Sequence, residues 1–113
     1  MPYNQRDIVM ANYQLPSGMT PHPFLVISTD NVREFEDCYV VVMLTSALHN
    51  DNFSYSLDDS KVVQPLLKKS EVRCHLISIL ESKLITKKVS ALKSASFDEV
   101  IVKILSEVVG IEQ

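Results

Sequence analysis

Apolar positions come in short blocks separated by polar breakers along most of this chain. Residues 7–13 form a first apolar block, and Phe24-Leu25-Val26-Ile27-Ser28 is a second, β-branched one. Short apolar runs bounded by turn residues are the mark of strands in a sheet or barrel core, so both are predicted strands. Between them, Leu15-Pro16-Ser17-Gly18-Met19-Thr20-Pro21-His22-Pro23 carries three prolines and a glycine and is predicted to be a loop. A charged stretch at residues 29–37 reads as a connection. Residues 38–44, with three consecutive valines, make the strongest predicted strand.

Asn50-Asp51-Asn52 is turn material, and Phe53-Ser54-Tyr55-Ser56-Leu57 then alternates as a half-buried strand does. Further strands are predicted around Val62 and Val63, at residues 72–79 and at residues 85–92, with a single helical turn at 81–84. In the 72–79 strand, alternation places Val72, Cys74 and Leu76 on one face and Arg73, His75 and Ile77 on the other.

The C-terminal pattern differs in period. Ser96-Phe97-Asp98-Glu99 has capping-box spacing, and apolar residues then recur at Phe97, Val100, Ile101, Ile104, Leu105, Val108 and Val109. This predicts one amphipathic helix, stopped by Gly110, with its stripe laid on the core. The predicted fold class is mainly β with a C-terminal α-helix, built on a small, mostly antiparallel sheet or barrel.

Length adds that residues 1–113 make a single domain, since 12.8 kDa leaves no room for a second core. A hydrophobic share of 46% beside 22% charged residues is globular and excludes a disordered tail. The longest apolar run, at residues 39–44, is far too short to cross a bilayer, and no secretory signal pattern opens the chain. Cys38 and Cys74 are too far apart for a metal knuckle and too few for a disulfide framework. The expectation is a cytoplasmic protein with reduced thiols and no membrane partner.

The net charge of −3 conceals a division. Residues 1–60 contain only Arg6 and Arg33 as cations against eight acids, whereas eight basic residues from Lys61 to Lys93 face only Glu71 and Glu81. Such asymmetry marks either an anion-binding surface or solvated strand edges guarded by lysine. Lys68, Lys69, Arg73, Lys87 and Lys88 are the candidate phosphate contacts, and Tyr13, Phe53 and Tyr55 the candidate stacking rings. His22, held between Pro21 and Pro23, stands out as a candidate acid–base group. His49 and His75 read as a surface and a strand histidine. No spacing joins the histidines to the cysteines or a carboxylate cluster as metal ligands, and no Gly-x-Ser-x-Gly elbow or glycine-rich phosphate loop is present. No cofactor is expected.

The order of these segments resembles the MazF/PemK (Kid-like) toxin family of bacterial toxin–antitoxin modules. Arg6-Asp7-Ile8-Val9 resembles the family's opening Gly-Asp-Ile-Val strand. Pro23-Phe24-Leu25-Val26-Ile27-Ser28 resembles its Arg-Pro-Val-Leu-Val-Val-Ser strand, and Val41-Val42-Met43-Leu44-Thr45-Ser46 its Val-Val-Pro-Leu-Thr-Ser segment. Leu67-Lys68-Lys69-Ser70-Glu71-Val72 and Glu81-Ser82-Lys83-Leu84 are similar to two later segments.

The resemblance implies an SH3-like or Kid-like β-barrel closed by the helix, a homodimer, and an acidic antitoxin protein as partner. It implies metal-independent cleavage of single-stranded RNA through a 2′,3′-cyclic phosphate, leaving a 5′-hydroxyl. Thr45 falls at the family threonine, and His22 at the position of the family arginine. By the same resemblance, His22 and Thr45 are the expected catalytic residues; Arg6 and Ser46, together with Lys68, Lys69 and Arg73 from the charge pattern, are the expected substrate-binding ones. Arg6 replaces the family glycine and is expected to restore charge near the site. Because histidine lacks arginine's permanent charge and fork of donors, the alternative is a catalytically inactive module of the same fold that binds nucleic acid or a protein.

Overall fold

The computed structural model describes residues 2–113. The chain runs β1 (Asp7–Leu15), β2 (Gly18–Val26), α1 (Asp30–Glu36), β3 (Cys38–Thr45), β4 (Ser54–Leu57), β5 (Ser70–Glu81), β6 (Ile85–Ala91) and α2 (Ser94–Glu107). The helical turn expected at 81–84 is a 3-10 turn at Ser82–Leu84, and a second one lies at Asp59–Lys61. All six strands join one antiparallel sheet in the order β4-β5-β3-β2-β1-β6. The sheet is not a closed barrel. Its two ends meet along a short seam where Val62, past β4, bridges Leu92, past β6, and Gln64 exchanges hydrogen bonds with the Ser90 hydroxyl, so the strand expected around Val62 and Val63 is that seam.

The proline-rich segment is a strand rather than a loop. β1 and β2 form a hairpin registered from Ile8↔Leu25 to Leu15↔Gly18, with Pro16 and Ser17 as its turn. Gly18 takes a φ of +122°, which side chains other than glycine's avoid. The positions of Pro21 and Pro23 explain why they are tolerated. Val26 accepts from the Arg6 amide toward β1, and Ile27 donates to Val40 toward β3, so peptide groups of odd-numbered β2 residues face β3. Both prolines therefore withhold donors from the β3 side and leave the hairpin ladder intact.

Alternation divides the core between the two faces. Ile8, Leu25, Val42, Leu44, Tyr55, Val72 and Cys74 lie on one face, covered by Phe97, Val100 and Ile104 of α2. Each fully buried aliphatic side chain there contributes about 1.5–3 kcal/mol. Val9, Ala11, Phe24, Val26, Tyr39, Val41 and Leu80 form a smaller cluster on the other face. The β5 alternation is broken between its partners: Val42 pairs with Ile77 but Met43 with Arg73, so residues 74–76 bulge and Leu76 is exposed.

Helix α2 begins earlier than its capping-box pattern indicates. Its N-cap is Lys93, without a side-chain cap; Ser96 is buried inside the first turn and Glu99 accepts the Tyr55 hydroxyl instead. The helix ends at Glu107, before Gly110, where a Cβ would stand 2.8 Å from the Leu105 carbonyl oxygen. The charged connection at 29–37 contains α1, a seven-residue helix that buries none of its side chains.

Candidate active site

Directly paired strand residues project to the same face, so the sheet register places the candidate residues. Phe24 pairs with Met43, Met43 with Arg73, and Arg73 with Ser54, making one row across four strands on the face opposite α2. In the next row Thr45 pairs with Glu71 and Glu71 with Ser56. Continuing the β2–β3 register by two residues brings His22 onto the row and face of Thr45. The ladder itself stops at Phe24↔Met43, because the next donor facing β3 would be Pro23. His22 and Thr45 thus flank the opening where β2 parts from β3.

Thr45 is half-buried at the strand end, and its Oγ1 accepts the Ala47 amide at 3.0 Å. That contact leaves the hydroxyl proton free to donate outward. Ser46, beside it, is exposed. His22 is half-buried; its Nε2 lies 3.1 Å from Thr20 Oγ1, and Tyr13 stands edge-on to its ring at 6.4 Å. Thr20 is a site neighbour that no motif signals, although its spacing of two from His22 gives the pair one face of any strand.

Arg73 does not offer its charge to a ligand. It is 7% exposed, and its Nη1 donates to Glu71 Oε2 at 2.8 Å, Asp51 Oδ1 at 2.9 Å and Ser54 Oγ at 2.8 Å, with Nη2 on Asp51 Oδ2 at 3.1 Å. The expected phosphate contact is corrected: two carboxylates already hold this guanidinium. Glu71, 1% exposed, also accepts the Ser54 hydroxyl at 2.6 Å and the His49 amide at 3.0 Å. It thereby ties the loop that follows Thr45 to β5.

Burial pushes Glu71 up, but Ser54, Arg73 and the amides of His49 and Asn50 outweigh it and hold the carboxyl below the usual range. The Arg73 hydrogen bond holds Asp51 far lower, against a smaller desolvation effect. Asp51 in turn raises Arg73 above its ordinary value, with burial opposing and Glu71 adding to the rise. One cation against two anions leaves the network net negative.

Arg6 is likewise corrected. It precedes β1, where its amide binds Val26, whereas His22 pairs with Ala11, five residues further along. That separation is about 17 Å of strand. Arg6 lines a different cavity of about 480 Å³, shared with Thr29, Asp30, Phe97 and Asp98.

Lys68 and Lys69 are exposed just before β5, so Lys69 lies two residues from Glu71 and from the Thr45 row. They line a cleft of about 310 Å³ with Asp58 and Asp59. Lys87 and Lys88 stand apart on edge strand β6, with Lys88 paired to Asp7 at 3.1 Å. Phe53 stacks on His75 at 4.4 Å and Tyr55 is buried under α2, leaving Tyr13 as the candidate ring beside His22. Among the described residues, no group of three or more His, Cys, Asp or Glu is placed to hold a metal ion, and no helix is long and apolar enough to cross a membrane.

The family described as PemK-like, MazF-like toxin of type II toxin–antitoxin systems matches residues 4–107, and the chain belongs to it. Its fold is similar to a mycobacterial endoribonuclease solved in complex with its cognate antitoxin, with a TM-score of 0.78 at 13% identity over 99% of this chain and 100% of that one. It is also similar to MazF in the MazE–MazF complex of Deinococcus radiodurans, with a TM-score of 0.79 at 18% identity over 97% and 98% of the two chains. The Mycobacterium tuberculosis toxin MazF-mt6 matches with a TM-score of 0.71 at 16% identity over 88% and 92%. No curated protein sequence matches the chain.

Proposed function

We propose that this protein is a toxin-type endoribonuclease that cleaves single-stranded RNA without a metal, acting as a homodimer restrained by an acidic antitoxin protein. The observation that carries the reading is the β2–β3 register, which ends at Phe24↔Met43 and, continued by two residues, sets His22 toward Thr45. In-line transesterification needs a base for the 2′-hydroxyl and donors for the phosphorane oxygens. His22 takes the base role. Thr45, its oxygen already bound by the Ala47 amide, donates its proton to a nonbridging phosphate oxygen. Ser46 lies beside Thr45 for the same phosphate, and Lys68 and Lys69 attract the strand from the start of β5. Lys68 and Lys69 suit an acidic antitoxin tail equally well.

The test is incubation of the purified protein with diverse single-stranded RNAs and mass analysis of the product ends. Cyclic phosphate and 5′-hydroxyl ends are expected, and His22→Ala should lower the rate by about 10²-fold or more. Folded protein that leaves every RNA intact would sink the catalytic reading.

A second reading, a non-catalytic binding module of the same fold, draws on one observation. Arg73 is neutralised by Glu71 and Asp51, and Arg6 lies about 17 Å of strand from Ala11, the partner of His22, so neither arginine expected at the site offers it a free charge. Cleavage that appears only in His22→Arg favours this reading; an active wild type contradicts it.

A further inference from the structure

Thr20 is a side chain within hydrogen-bond distance of the His22 ring, and the contact falls on one particular nitrogen. Its Oγ1 lies 3.1 Å from Nε2, not Nδ1. A hydroxyl can donate to or accept from a neutral imidazole, but an imidazolium carries protons on both nitrogens. Accepting from Nε2–H is the one arrangement that survives a change of charge on the ring. It leaves Nδ1 as the nitrogen that loses and regains a proton.

The surroundings fix the rest of the ring's geometry. Tyr13 pairs with Thr20 across the hairpin and meets His22 edge-on, with an interplanar angle of 82°. Tyr13 itself leans on Phe24 at 5.3 Å, and Phe24 is fully buried, so the brace reaches the core. Pro21 and Pro23 restrict the backbone on either side of His22. Thr20 and His22 alternate on one strand face, which delivers hydroxyl and ring together.

We infer that Thr20 is a positioning residue of the site: it holds the Nε2 proton of His22 and so presents a bare Nδ1 as the general base. This rests on the endoribonuclease reading above. In the step it serves, the 2′ O–H bond breaks and its proton passes to Nδ1, while the freed oxygen pair forms a bond to phosphorus. The bond from phosphorus to the 5′ oxygen breaks, water gives that oxygen a proton, and the imidazolium returns one to the water.

The experiment compares wild type with Thr20→Val, Thr20→Ser and His22→Ala by RNA cleavage and by nitrogen-15 NMR of the imidazole. Thr20 is exposed, so these variants keep the fold. Wild type, with the ring neutral, is expected to carry its proton on Nε2 alone. Thr20→Val is expected to mix the two tautomers and to lower kcat by about 10- to 10²-fold with KM unchanged, and Thr20→Ser to restore both. A wild-type proton on Nδ1, or a Thr20→Val tautomer identical to wild type, overturns the inference whether or not RNA is cleaved. If His22→Ala abolishes cleavage while Thr20→Val cleaves like wild type, the role of Thr20 fails and the catalytic reading stands. If His22→Ala cleaves like wild type, the base role of His22 fails and takes this inference with it, while protein that cleaves no RNA at all sinks the catalytic reading.

Discussion

Arg73 Nη1 lies 2.8 Å from Glu71 Oε2, a buried ion pair between residues two apart on one strand, with Glu71 directly opposite Thr45 and Arg73 opposite Met43. Removing one partner strands the other in a site with little access to water. Arg73→Ala should therefore lower unfolding free energy by about 3–5 kcal/mol, read from denaturant midpoints.

The same pair sets an acid limit. Glu71 has its folded carboxyl held below the unfolded value of 4.5, so its contribution is fully present above that pH and lost as pH falls through the depressed folded value. Asp51 behaves alike. Unfolding free energy should be flat near neutrality and fall below about pH 4.5, with the fall reduced in Glu71→Gln.

Lys68 and Lys69 are solvated, so replacing both by Ala should spare the fold and weaken binding of single-stranded RNA. The slope of log affinity against log salt should fall by about 0.7 for each phosphate that is no longer neutralised. Arg6→Ala, at the other end of β1, should leave that slope and the cleavage rate as they are.

Burial, together with the hydrogen bond to Glu99, pushes the Tyr55 hydroxyl up to about 12. Its ordinary value is 10.0, so between the two values the folded state keeps a proton that the unfolded state gives up. Stability should decline as pH rises through that window, and Tyr55→Phe should remove the decline while costing about 1 kcal/mol near neutrality.

Cys74 is fully buried and its thiol is raised to about 11 by that burial, so little thiolate forms in the folded protein. Peptide mapping after a thiol reagent at pH 8 should find Cys74 unmodified, and modified once denaturant is added.

β3 is legible in the sequence because it buries both faces, Val41 in one cluster and Val42 in the other, and so reads as an unbroken apolar run. α1 leaves no periodic signal since it buries nothing. Ser96 and Glu99 match a capping box by spacing, but Ser96 is packed within the helix and Glu99 answers Tyr55, 44 residues away. Pro21 and Pro23 look like breakers because sequence does not say which way a strand's peptide groups point. At the candidate site, resemblance alone singles out Thr45 and His22. The masking of Arg73 depends partly on Asp51, 22 residues away across the β3–β4 loop. The nearer half, Glu71, is open to view: residues two apart on a strand share a face.

Pro21 and Pro23 have a further consequence. An opening inside a sheet is an edge, and exposed edges invite other chains to add strands and aggregate. Here Pro21 and Pro23 take two donors away from one lip of that internal edge, so a stray polypeptide finds a broken ladder along it. A ligand held by its phosphates and bases needs no such ladder. The two prolines thereby make this lip a poor template for strand addition before any side chain is consulted.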